Sequence, residues 1–131
     1  MKILFICDGN VARSQEAAIF LNDLSGGKHE ARSAGVNPKI GKPIDPLVAQ
    51  VMLEVGYGMD AAIRKPINLN IVDSADIVIS FQPVNELPDF VRHHPNLQYW
   101  NVPDPARHSI QFHRHIRDIV KYKVESLLIE I

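Results

Sequence analysis

Only one cysteine, Cys7, occurs among the 131 residues. That excludes an intrachain disulfide, and with it any relay of oxidation between sulfurs of the same chain. An excess of charge of either sign is missing too. Fourteen basic and 15 acidic residues leave a formal net charge of −1, which gives no electrostatic reason to expect nucleic acid or an acidic membrane as a partner. No targeting segment is evident, because the opening Met1-Lys2-Ile3-Leu4-Phe5-Ile6 is too short and too soon interrupted by Asp8 to read as a signal sequence. The expectation is a cytoplasmic protein, where a thiolate stays reduced. Repeats, low-complexity stretches and interdomain linkers are also lacking. With 46% hydrophobic and 22% charged residues, residues 1–131 read as one globular domain with a single core.

What is present is an alternation of strands and helices. Residues 2–6 predict a buried parallel strand, followed from about Ser14 by a helix with Ala17, Leu21 and Leu24 on one face, ended by Gly26-Gly27. His29–Ser33 predicts a short, polar edge strand. Asp45 and Pro46 suit an N-cap and first helical residue for a helix burying Val48, Val51, Met52 and Val55. Ala75–Ser80 predicts a third, fully buried strand and Leu97–Val102 a fourth, and Ile116, Val120, Val124, Leu127 and Ile131 mark a long amphipathic C-terminal helix. The expected fold is α/β: three layers, α/β/α, around a four-stranded parallel sheet, with ligands at the carboxyl ends of the strands.

Cys7 stands at one of those ends, directly after the run Ile3–Ile6. A lone cysteine in that position is ordinarily a small core residue. Here the segment continues Asp8-Gly9-Asn10-Val11-Ala12-Arg13-Ser14. A strand that empties through a short loop into a helix offers backbone N–H groups and the positive end of a helix dipole to an anion of phosphate size. Those dipoles, the Arg13 guanidinium and the Ser14 hydroxyl would all favour a thiolate at Cys7.

Cysteine, five residues, arginine and then a hydroxyl residue resembles the phosphate-binding loop of cysteine-dependent phosphatases. The Gly9-Asn10 pair and the N-terminal position narrow the resemblance to the low-molecular-weight protein tyrosine phosphatase superfamily, which also contains arsenate reductases. Ala12-Arg13-Ser14-Gln15 is more similar to the arsenate reductase branch, and Ser33-Ala34-Gly35 and Asp104-Pro105-Ala106 are two further landmarks in the expected order. The resemblance implies a phosphate-binding loop over Cys7–Ser14, with Cys7 as nucleophile, Arg13 clamping two phosphoryl oxygens through its planar fork and Asp104, just past the fourth strand, as general acid and base. Gly9 is expected to let the loop turn close to the anion. Asn10 is expected to hold the loop's strained shape through hydrogen bonds, one of them to Ser33, so that Asn10, Ser14 and Ser33 act as supports.

Departures from the family pattern bear on the reaction. Arsenate reductases of this group relay oxidation through two further cysteines, and Phe81 and Leu87 stand in those places. Hydrolysis of a phosphoester needs only the cysteine, the arginine and the aspartate. Asp8 is unusual beside a nucleophile; a carboxylate turned inward would repel phosphate, so an outward orientation is expected, where it could select a positive group on the substrate. Val11 would suit a flat apolar leaving group. Ala18 replaces a glutamate that helps some relatives bind potassium, so neither that ion nor any cofactor is expected. Among the six histidines, His113 and His115 lie about 200° apart around a helix and cannot serve one metal ion, and Phe81 is expected in the core.

The expected function is therefore a phosphatase acting on phosphomonoesters, of phosphotyrosine type, through a phosphocysteine. An arsenate reductase using an external small thiol is the alternative, and a catalytically impaired oxyanion-binding module the second. The expected partners are a phosphorylated substrate or an inorganic oxyanion, phosphate or arsenate.

Overall fold

The computed structural model describes residues 1–131. Strands β1 (Lys2–Cys7), β2 (Glu30–Gly35), β3 (Ile77–Ser80) and β4 (Leu97–Tyr99) form one parallel sheet in the order β2-β1-β3-β4. Period-two alternation along the central strand β1 sorts its side chains between two cores. Ile3 and Phe5 join Phe20, Leu21, Ile79, Ile116 and Val120 under helices α1 (Arg13–Leu24), α2 (Pro46–Leu53) and α5 (Ile110–Glu130). Leu4 and Ile6 face the other way, onto Val72, Val78 and Val91 beneath the short helices α3 (Leu69–Asp73) and α4 (Asp89–Arg92). Helices on both faces of a parallel sheet make the three-layer α/β/α arrangement. No helix is long and apolar enough to cross a membrane.

Local chemistry accounts for the helix starts. Asp45 accepts from Leu47 N at 2.8 Å with Pro46 in the first turn of α2, and Ser109 accepts from Phe112 N at 3.2 Å at the start of α5. Helix α1 differs, beginning at Ala12 with no side-chain cap. Two strands are shorter than expected, β3 beginning at Ile77 instead of Ala75 and β4 ending before Val102. Strand β4 stops at Tyr99, where Trp100 N makes a last bond to Ser80 O before the chain leaves the sheet edge. Tyr99 is consequently exposed, and so is Leu24 at the frayed end of α1.

Because the chain leaves β1 for β2 on one side and returns to β3 on the other, the carboxyl end of β1 is the switch point of the sheet. A crevice opens there. Cys7 is the last residue of β1, paired with Gly35 at the end of β2.

Candidate active site

The loop Asp8–Ala12 follows Cys7 and turns directly into α1. None of the backbone N–H groups of Asp8, Gly9, Asn10, Val11 and Ala12 donates to another group in the chain. Together with the uncapped start of α1, they leave a ring of donors around the loop centre, the arrangement that binds oxyanions. The loop borders a cleft of about 320 Å³ whose wall includes Cys7, Asp8, Gly9, Val11, Ala12, Arg13 and Asp104.

Asn10 carries the loop's conformational demand. It is fully buried, with φ at 52° in the left-handed region where asparagine is tolerated and most residues are not. Its amide is completely engaged: Nδ2 donates to Ser14 Oγ at 2.9 Å, and Oδ1 accepts from Gln15 Nε2 at 3.1 Å and from Lys65 N at 2.8 Å. Within the loop only Asn10 has positive φ. One sequence expectation is corrected here. Ser33 is not Asn10's partner; it pairs with Phe5, two residues back from the strand end, and its hydroxyl borders a separate hollow behind α1 shared with Gln15 and Asn22. At about 3.3 Å of rise per residue that setback removes Ser33 from the rim. Gly35 takes its place beside the loop. A Cβ there would stand 2.8 Å from Asp8 O and 3.0 Å from Asn10 N, so the close approach of β2 to the loop requires glycine.

Ser14 Oγ lies 2.9 Å from Cys7 Sγ, and both are buried. Arg13 is also buried, held by the far ends of two strands. Its Nη1 donates to Phe81 O at 3.3 Å and Val102 O at 2.9 Å, and Nη2 to Gln82 Oε1 at 3.4 Å. Nε–H and the second Nη2–H, adjacent on one edge of the guanidinium, have no hydrogen-bond partner in the chain. That edge is a two-donor fork suited to an oxyanion. Phe81 packs on Phe5 and Trp100 and lies under the guanidinium at 5.7 Å, a core position as expected.

Asp104 faces the same cleft with its side chain 55% exposed; Oδ1 accepts from Ala106 N at 3.0 Å and Oδ2 lies 3.7 Å from Arg13 Nη2. Asp8 is half-buried at the cleft wall, and its carboxylate makes no hydrogen bond or ion pair. Val11 also lines the cleft, and no phenylalanine, tyrosine or tryptophan does.

Glu16 escaped the sequence reading, and His113 is read there only against a metal site. Glu16, two residues past Ser14, is completely buried with neither oxygen hydrogen-bonded. Burial pushes its carboxyl up to about 8, against the opposing pull of Arg117 and Arg13. His113 borders the cleft, is 1% exposed and has no partner for either ring nitrogen. Burial lowers its tendency to protonate, although Asp45 and Asp104 favour the cation. A polar residue on the apolar face of α1 or α5 is visible in sequence as a break in the pattern. Which group it meets is not.

Comparison with known proteins gives a consistent picture. Residues 2–131 match the family described as low molecular weight phosphotyrosine protein phosphatase. The glutaredoxin arsenate reductase of Synechocystis sp. is 32% identical over 132 residues, covering 99% of this chain and 98% of that protein. Among solved structures, an arsenate reductase in the phosphate-binding state is 31% identical and superposes with a TM-score of 0.84, covering 99% of this chain and 98% of that one. The low molecular weight protein tyrosine phosphatase from T. tengcongensis shares the fold at a TM-score of 0.92 and 23% identity, covering 100% and 99% of the two chains.

Proposed function

The chain belongs to the low molecular weight phosphotyrosine protein phosphatase family, and from that premise we propose that it is a cysteine-dependent phosphatase that hydrolyses phosphomonoesters through a phosphocysteine. The observation that carries this reading is the meeting, at one cleft, of four undonated backbone N–H groups, those of Asp8, Gly9, Val11 and Ala12, with the Cys7 sulfur and the free edge of the Arg13 guanidinium. In the first step Cys7 Sγ attacks phosphorus as the ester P–O bond breaks. The N–H ring and Arg13 hold the three non-bridging oxygens, where negative charge resides throughout the transfer. Protonated Asp104 gives its proton to the departing oxygen. In the second step Asp104, now a carboxylate, takes a proton from water as water attacks phosphorus, and the S–P bond breaks to return the Cys7 thiolate.

Ser14 supports the nucleophile in this scheme, and Asn10 and Gly35 support the loop. A lone reactive thiol requires a reducing compartment, so the cytoplasm is the proposed place of action. The test is turnover of para-nitrophenyl phosphate from about pH 5 to 8 by the wild type and by Cys7→Ser. Turnover that disappears in the variant supports the proposal; a folded wild-type protein without turnover defeats it.

A second reading, reduction of arsenate, is favoured by the resemblance to arsenate reductases along nearly the whole chain and by a cleft lined by no phenylalanine, tyrosine or tryptophan to stack on a phosphotyrosine ring. Phe81 and Leu87 are buried apolar residues, so the electrons would have to come from outside. Per arsenate reduced to arsenite, two equivalents of a small thiol would be oxidised to a disulfide, one of them attacking after Cys7 has bonded to arsenic. Arsenate-dependent consumption of an added thiol distinguishes this reading.

A further inference from the structure

A second hollow, of about 450 Å³, adjoins the cleft and shares Lys39, Asp45 and Arg64 with it; Lys42 lies on its far wall. Its charge is mostly of one sign, in a chain whose net charge is −1. The backbone brings these cations together from two separate segments. Lys42 N donates to Lys39 O, closing a turn, and Pro43 bridges Ile63 in antiparallel fashion, which sets that turn against Arg64. The Arg64 segment is in turn tied to the phosphate-binding loop, because Lys65 N donates to Asn10 Oδ1 and Gln15 Nε2 to Ile63 O. The hollow is thus held in register with the cradle.

None of the three cations is engaged. Lys39, Lys42 and Arg64 take part in no ion pair, in contrast to Arg13, Arg114 and Arg117. Arg64 Nε is buried with no acceptor, a donor left unsatisfied on a charged group. The acidic residue of the hollow, Asp45, is committed by Oδ1 to capping α2. The three cations outnumber the single acidic residue of the hollow, so they repel one another, and a bound anion would relieve that repulsion.

We infer that this hollow is a second anion subsite, and that the preferred substrate carries a carboxylate or phosphate group besides the phosphoryl group that reacts at Cys7. The inference rests on the proposed phosphatase reading and narrows its substrate class. The cradle takes the reacting group while Lys39, Lys42 and Arg64 take the second anion. This also gives a cleft without phenylalanine, tyrosine or tryptophan a means of selection other than stacking on those rings.

Non-hydrolysable phosphonates test the subsite without requiring turnover. Phosphonoacetate, 3-phosphonopropionate and 4-phosphonobutyrate are compared by calorimetry, in competition with inorganic phosphate, with alkylphosphonates of matching length; methylenebisphosphonate separates a phosphate preference from a carboxylate one. At low ionic strength at least one dianionic-type ligand is expected to bind roughly 5- to 50-fold more tightly than its alkyl counterpart. That ratio should shrink with salt and fall below about threefold in Lys42→Gln and in Lys39→Gln/Arg64→Gln. Lys42 is exposed, so its substitution leaves folding intact. A ratio near one in the wild type, or a preference that survives both sets of substitutions, overturns the subsite. Discrimination without hydrolysis of any phosphomonoester keeps the subsite and removes the phosphatase reading, whereas failure of every phosphonate to compete with phosphate removes both.

Discussion

Ser14 Oγ accepts a hydrogen bond from Asn10 Nδ2 and stands 2.9 Å from Cys7 Sγ. An amide nitrogen can only donate, so the Ser14 proton is free to point at the sulfur. The residue that bends the loop and the residue that contacts the Cys7 sulfur are therefore coupled through one hydroxyl.

Ser14→Ala removes the donor to sulfur and leaves Asn10 Nδ2 without its acceptor. A lost hydrogen bond is worth about 0.5–1.5 kcal/mol, so alkylation of Cys7 by iodoacetamide should slow by roughly two- to tenfold. Ser14→Thr should restore most of the rate. An unchanged alkylation rate in the alanine variant would mean that the hydroxyl only packs.

Asp104→Asn keeps the shape and the bond to Ala106 N but cannot protonate a leaving oxygen. The loss in kcat should reach about 10²–10⁴ for esters of poor leaving groups and be much smaller for para-nitrophenyl phosphate. A series of aryl phosphates of graded leaving-group acidity measures this. Equal losses along the series would assign Asp104 to structure, through Ala106 and Arg13, instead of proton transfer.

Glu16→Gln should stabilise the protein, and more so as pH rises. The folded carboxyl titrates at about 8 against an ordinary value of 4.5. Between those values the folded state holds a proton that the unfolded state has released, so stability contributed by the neutral acid is full below about pH 4.5 and declines toward pH 8. The glutamine variant has no such decline, and its advantage in urea unfolding should grow to roughly 2–4 kcal/mol by pH 8. Equal slopes of stability against pH in the two proteins would refute the assignment.

Gly35→Ala should distort the phosphate-binding loop. A methyl group at 2.8 Å from Asp8 O and 3.0 Å from Asn10 N cannot be accommodated without moving backbone. Destabilisation of about 1–3 kcal/mol is expected, with weaker phosphate binding measured by calorimetry. Gly58→Ala, which meets nothing within 4 Å, serves as the control. Unaltered phosphate affinity in Gly35→Ala would show that the loop keeps its shape independently of β2.

The readable parts of this protein are those whose cause is local. Apolar runs placed three of the four strands in sequence, Asp45-Pro46 marked the start of α2, and Cys7, Arg13 and Ser14 lie within eight consecutive residues whose strand-loop-helix context is itself a local pattern. Even within that segment one detail escaped. Glycine is the usual left-handed residue, yet Asn10 takes that conformation because Ser14, Gln15 and Lys65 hold its amide there. Ser33 failed as Asn10's partner for a related reason: the register of β2 against β1, decided by the whole sheet, sets it two residues below the rim.

Composition and spacing by themselves determined an α/β fold without an intrachain disulfide, and placed Cys7 at the end of a strand shortly before Arg13 and Ser14. Only the tertiary structure decided which edge of Arg13 stays free, since its other donors go to Phe81, Gln82 and Val102, 68 to 89 residues away. It also decided that Lys39, Lys42 and Arg64 share one hollow beside the cradle and that Glu16 is sealed under α5. The reason is physical. Backbone dihedrals and dipoles act over a few residues, whereas a buried charge or an unpaired donor is defined by its surroundings, which distant segments supply only after they have packed.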